Sequence, residues 1–290
     1  MSANGPAPGD GASPGDDAKK ERIAKRLARA GVCSRREAER MIADGRVAVD
    51  GETLTSPAIS VTEDARITVD GKPVAKAERT RLWRFHKPRG TLTTHRDPEG
   101  RPTVFDGLPK ALGRLISVGR LDFNSEGLLL LTNDGGLARR LELPSGGWVR
   151  RYRVRAFGKV DAERLEALAA GITIDGVNYG PIHCGIERRR GDNTWLALSL
   201  REGKNREIRR VMEHLGLTVS RLIRIGFGPF ALGRLARGAI EEVPGKALAD
   251  MLGKGSAAPG AKARKAKPRA RKPAPGGRGR GGRAVAHRRR

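Results

Sequence analysis

Gly119-Arg120-Leu121-Asp122-Phe123-Asn124-Ser125-Glu126-Gly127 is a polar loop that joins one apolar stretch (Leu115, Ile116, Val118) to another, Leu128-Leu129-Leu130-Leu131. The leucine run reads as a buried strand. Working outward from it, Leu82–Phe85, Tyr152–Arg155 and Trp195–Leu198 read as further strands. Helices are predicted at Gly136–Leu141, Asp161–Ala170 and Asn205–Leu215, the last two stopped by Gly171 and Gly216 as C-terminal caps. Strands and helices alternate irregularly, so the class is α+β with a mostly antiparallel mixed sheet flanked by helices and loops.

A different texture precedes this block. Residues 1–18 are Gly, Pro, Ala, Ser and Asp with little that is large and apolar, and read as a disordered leader. Ile23, Leu27 and Ala30 then recur at helical spacing up to Gly31. Ser34-Arg35-Arg36-Glu37 is a capping box that starts a second helix, with Ala38, Met41 and Ile42 on its apolar face. After Gly45 the period becomes two: Val47 and Val49, then Ile67 and Val69, are each followed by an Asp-Gly turn, Asp50-Gly51 and Asp70-Gly71. The expected organisation is a leader at 1–18, a small helix-and-sheet domain at 19–78, a larger domain at 79–253 and a disordered basic tail at 254–290.

The 290 residues carry a net charge of +26. Residues 261–290 hold 13 of the 58 Lys and Arg and no acid, so the rest still carries +13. Such a balance points to a polyanionic partner, nucleic acid before a membrane surface. No apolar run is long enough to span a bilayer, and the N-terminus lacks a basic-then-apolar pattern, so a cytoplasmic protein is expected. Cys33 and Cys184 have no metal-ligand spacing. Adjacent His183 and Cys184 would point to opposite faces of a strand, so no metal site is expected.

Within the loop, the Asp122 carboxylate is preceded by Arg120 and flanked by Leu121 and Phe123, which limit water. On local physics alone Asp122 is either a reactive group or a turn residue. Two resemblances go further. Arg26-Leu27-Ala28-Arg29-Ala30-Gly31-Val32-Cys33-Ser34-Arg35-Arg36-Glu37-Ala38, with Ile42, Gly45, Val47, Val49, Asp50 and Gly51, resembles the alpha-L RNA-binding module of the ribosomal protein S-four type. That resemblance implies RNA contacts from Lys25, Arg35, Arg36 and Arg40.

The second resemblance covers roughly residues 20–245. Lys87-Pro88-Arg89-Gly90 with Gly119-Arg120-Leu121-Asp122 and Glu126-Gly127-Leu128-Leu129, then Arg151-Tyr152-Arg153-Val154, then Glu202-Gly203-Lys204-Asn205-Arg206-Glu207-Ile208-Arg209-Arg210, is similar to the RsuA/RluB/RluE/RluF family of pseudouridine synthases. The resemblance implies isomerisation of a uridine in rRNA with Asp122 as the catalytic group and no cofactor. Asp122 acts either as nucleophile or as a base assisting a glycal-like intermediate. It also implies Lys204 as the partner of Asp122, Tyr152 stacking on the base and Ile208 as an apolar contact. Arg120 supports the site. Many relatives have Lys-Thr-Tyr where this chain has Arg150-Arg151-Tyr152. Lys87, Arg89, Arg206, Arg209 and Arg210 are expected on RNA, with Arg96 and Arg101 as further candidates.

The similarity is greatest to the large-subunit rRNA (RluB-like) branch, with the small-subunit branch as the alternative. The competing readings are a non-catalytic ribosome-assembly factor, which has no need of Asp122, and a metal-dependent nuclease using Asp122 with Glu126. The latter lacks the further acidic residues of a two-metal site. DNA binding is disfavoured because the motifs are those of RNA proteins. A monomer with rRNA as partner is expected.

Overall fold

The computed structural model describes residues 20–253. The expected leader and basic tail lie outside the described residues.

The N-terminal segment begins with β1 (Glu21–Arg22), α1 (Ile23–Arg29) and α2 (Arg35–Ala43). Both arms of the capping box form: the Ser34 hydroxyl accepts from the Glu37 amide at 3.2 Å, and the Ser34 amide donates to Glu37 Oε2 at 3.5 Å. The chain continues through β2 (Val47–Val49), β3 (Glu52–Thr53), β4 (Ser60–Val61), β5 (Ile67–Val69) and β6 (Lys72–Pro73). Strands β3, β2, β5 and β6 form one antiparallel sheet in that order, and β1 pairs with β4. Asp50-Gly51 and Asp70-Gly71 all have positive φ, the geometry of a two-residue hairpin turn that matches strand twist. Ile23, Leu27, Ala38, Ile42, Val47 and Ile67 close a core between helices and sheet.

The larger segment contains β7 (Leu82–Lys87), β8 (Ile116–Val118), β9 (Glu126–Thr132), α3 (Gly135–Glu142), β10 (Arg150–Phe157), α4 (Ala162–Ala167), β11 (Ile172–Ile174) and β12 (Val177–Tyr179). It continues with β13 (Ile182–Arg190), β14 (Asn193–Leu200), α5 (Glu207–His214), β15 (Thr218–Phe227), β16 (Phe230–Ala231), β17 (Ile240–Glu242) and α6 (Gly245–Gly253). One sheet runs β13-β14-β10-β15-β9-β7-β17, with β8 on β9 and β16 on β15. Every pairing is antiparallel except β15 with β9. The fold is therefore the expected α+β arrangement with a mixed, mostly antiparallel sheet.

All of β9 is buried, and its alternation divides the leucines between two cores. Leu128 and Leu130 pack with Leu137 and Leu141 of α3, whereas Leu129 and Leu131 pack with Trp83, Phe85 and Leu121. In the other half of the sheet Tyr152, Val154, Leu196 and Leu198 meet Ile208, Val211 and Met212 of α5. The parallel joint needs Gly127: a Cβ there would stand 2.3 Å from the Arg224 carbonyl oxygen, and φ is +106°. That close approach brings the end of the Asp122 loop against β15.

Two helix boundaries and one strand boundary differ from expectation. The third predicted helix starts two residues later, at Glu207, because Arg206 takes a left-handed conformation (φ 51°) and breaks the helical path. The second closes as a 3-10 turn over Leu168–Ala170. The strand at Tyr152–Arg155 extends to Arg150–Phe157.

Candidate active site

The Asp122 loop is held by its backbone. The Ser125 amide donates to the Asp122 carbonyl at 3.0 Å, closing the turn without the carboxylate. The neighbouring carbonyls are taken from outside the loop: Leu121 by the Thr93 hydroxyl at 2.9 Å, Phe123 by the Gly90 amide at 2.8 Å, Asn124 by Arg209 Nη2 at 3.1 Å and Ser125 by Lys87 Nζ at 2.9 Å. At the loop's start the Gly119 amide donates to Glu142 Oε1 at 2.8 Å. Ties from four other segments make this loop rigid, and rigidity is what a reactive group needs.

The carboxylate itself accepts no hydrogen bond from any described residue, so it caps no turn. It is half-buried, and its nearest cation is Arg206 Nη1, 4.0 Å from Oδ2. The two face a cavity of about 480 Å³. Tyr152, Leu200, Ile208, Leu222 and Phe227 form its apolar wall, while Arg120, Arg150, Lys204, Glu207, Arg209 and Arg224 supply polar atoms. Tyr152 and Ile208 are buried, whereas Arg120 is exposed. A flat heterocycle fits such a half-apolar cavity with a carboxylate on its rim.

Two expectations for cations are corrected by the geometry. Lys204 does not pair with Asp122: its ammonium donates to Glu202 Oε2 at 2.7 Å and to the Asn178 carbonyl, and lies over the Tyr179 ring. The left-handed turn at Arg206 presents that side chain to Asp122 instead. Lys87 does not reach RNA either, because it is fully buried beneath the loop. Its ammonium donates to the Pro88 and Ser125 carbonyls, and burial lowers its pKa to about 8 against the upward pull of Asp122 and Glu126. Lys87 thus props the loop from below and puts positive charge near Asp122.

Arg209, also expected on RNA, gives its two Nη groups to the Val219 and Asn124 carbonyls. Burial, with the charges of Arg206 and Arg89, pulls its pKa down. Arg89, Arg206 and Arg210 are exposed, as are Arg96 and Arg101, although Arg101 is engaged by Asp97 and Glu99. On the N-terminal helices Arg35, Arg36 and Arg40 are exposed and Lys25 lies 3.5 Å from Glu21.

The nuclease reading loses its second ligand. Glu126 is buried and committed to Arg221 (2.5 Å) and Arg237 (3.3 Å). His183 is exposed while Cys184 packs against the core, as adjacent positions of one strand require.

A family model described as RNA pseudouridylate synthase matches residues 81–214, and one described as S4 domain matches residues 21–67. An uncharacterized RNA pseudouridine synthase of Rickettsia felis is 48% identical over 228 residues, covering 79% of this chain and 99% of the relative. The chain belongs to the RNA pseudouridine synthase family. A ribosomal large subunit pseudouridine synthase B of Pasteurella multocida is 47% identical over 234 residues, covering 77% of this synthase and 67% of the relative. A solved structure described as a pseudouridylate synthase superposes with a TM-score of 0.57 at 25% identity, covering 79% of this chain and 98% of that one.

Some residues lining the synthase's cavity escape a reading of the sequence. Arg224 is buried, donates from Nε to the Leu128 carbonyl at 2.7 Å, lies over the Phe227 ring and is the cross-strand neighbour of Tyr152. Its signal is a charge at the core-facing parity of β15, two residues after Leu222. Glu207 is buried beside Glu202, with Oε2 accepting from the Lys204 amide at 2.9 Å. Burial and the Glu202 carboxylate push its pKa up to about 7. The pair anchors the 202–206 turn that carries both Lys204 and Arg206.

Proposed function

We propose that this synthase converts one specific uridine of large-subunit rRNA to pseudouridine, with Asp122 as the catalytic group. The observation that carries this reading is the Asp122 carboxylate itself, held on a rigid loop, used by no structural hydrogen bond among the described residues, and facing a cavity with an apolar wall. Similarity to relatives named for the large subunit supports the substrate. The S4 domain, with Arg35, Arg36 and Arg40 exposed, supports RNA contact beside the catalytic segment. We place the division between the two at residues 78 and 79, and take the protein to act as a cytoplasmic monomer.

In the reaction the C1'–N1 glycosidic bond breaks, the uracil turns, and a C1'–C5 bond forms. C5 then loses its proton and N1 gains one, so the product is an isomer and nothing is oxidised or reduced. Asp122 acts on the ribose, either by bonding to C1' or by removing the C2' proton to give a glycal. Arg206, 4.0 Å from Oδ2, supplies the positive charge that faces the carboxylate across the pocket. Tyr152 and Ile208 hold the plane of the extruded base, whose unstacking the RNA contacts offset.

Pseudouridine mapping of both rRNAs from cells with and without the gene tests the address. One large-subunit uridine should lose its modification in the deletion strain. Loss confined to the small subunit would contradict the proposal.

A further inference from the structure

Strand β10 sorts its side chains by parity: Tyr152, Val154 and Ala156 are buried against the α5 side, and Arg151, Arg153 and Arg155 are exposed on the other face. On that exposed face Arg155 stands directly opposite Arg221 of β15 and Trp195 of β14. Like charges directly opposite each other in a sheet are destabilising. Arg155, Arg221, Arg89, Arg237, Glu126 and Ser220 surround a cavity of about 250 Å³. Four guanidinium groups meet one carboxylate there.

That carboxylate sets the geometry. Burial raises the Glu126 pKa, but Arg221 and Arg237 more than offset this and hold it below the usual range, so it is ionised at neutral pH. It fixes Arg221 through two contacts and draws in Arg237, while Arg153 and Arg221 lie over the Trp195 ring at 5.0 and 6.0 Å. Arg155 and Arg89 have no carboxylate within 4.0 Å among the described residues. Three positive charges are left uncompensated around the cavity, arranged as forked donors suited to a phosphate.

The cavity is also continuous in charge with the catalytic pocket. Arg209, tied to the Asn124 carbonyl, feels the charges of Arg206 and Asp122, which line the catalytic pocket, and of Arg89, which lines this cavity. Asp122 and Glu126 are four residues apart, a span of at most ~14 Å. We propose that this arginine-lined cavity is a second RNA site, binding a backbone phosphate of the substrate a few nucleotides from the uridine in the Asp122 pocket. The proposal rests on the reading of the chain as an rRNA synthase.

The test is RNA binding by full-length Arg155→Ala, alongside wild type, Arg190→Ala and Asp122→Asn. The probe is an unmodified rRNA transcript containing the mapped uridine, titrated between 50 and 200 mM salt. Arg190 is an exposed arginine at the end of β13 that does not line the cavity, and it controls for loss of one charge. Arg155→Ala should weaken binding roughly threefold to tenfold and flatten the slope of log K against log salt by about 0.7–0.9, the loss of one phosphate contact. Turnover at saturating RNA should not change, and Arg190→Ala should behave as wild type. Affinity and slope equal to wild type in Arg155→Ala, with wild type still modifying the transcript, would overturn the second site alone. No modification by wild type would instead overturn the underlying reading.

Discussion

Arg206 Nη1 and Asp122 Oδ2 stand 4.0 Å apart across the pocket, with Arg206 held in left-handed backbone at the start of α5. A non-glycine residue in that region costs of order 1–3 kcal/mol and persists only where its surroundings impose it. Glu207 and Glu202 impose it here, by fixing the turn on either side.

Arg206→Met should therefore lower kcat by about 10–100-fold, equivalent to roughly 1.4–2.7 kcal/mol of transition-state stabilisation. Lys204→Met should cost less, because the Lys204 ammonium serves Glu202 and Asn178 rather than Asp122. Single-turnover rates of the two variants decide between them. A larger loss in Lys204→Met would place the working ion pair at Lys204.

The buried ammonium of Lys87 gives a pH signature. Its pKa falls from the ordinary 10.5 to about 8 in the folded protein. Between those values the unfolded chain still holds the proton that the native chain has released, so this group adds to stability as pH rises. Wild type should gain on Lys87→Met by up to about 3 kcal/mol between pH 7.5 and 10.5 in urea denaturation. Parallel pH curves would show that the ammonium is not buried as described.

Glu207 has the opposite sign. With its pKa raised from 4.5 to about 7, the native state holds a proton that the unfolded chain has lost between those values. Stability contributed by this group falls as pH rises through that window. Glu207→Gln should flatten the dependence between pH 4.5 and 7, because an amide never ionises. A variant that keeps the wild-type slope would assign the effect to another group.

The capping box at Ser34, the Asp-Gly turns and the leucine strand were legible because each depends on neighbours in sequence. The loop of Asp122 was legible as a polar link between buried elements. Lys87 was not, since its burial depends on the Ser125 carbonyl 38 residues away. Nor was the partner of Asp122: Lys204 and Arg206 are two residues apart, and only the backbone reversal at Arg206 decides which side chain turns inward. The β10–β15 pairing that sets Arg224 opposite Tyr152 and the parallel β15–β9 joint that sets it opposite Gly127 arise from long-range topology that no local pattern encodes.

The most direct test of the central claim is conversion of uridine in an rRNA transcript by purified Asp122→Asn, with no metal or nucleotide added. The substitution preserves size and the backbone ties of the loop, so RNA affinity should match wild type while product formation falls below detection. Pseudouridine formed at the wild-type rate by Asp122→Asn would contradict the assignment of Asp122 as the catalytic group.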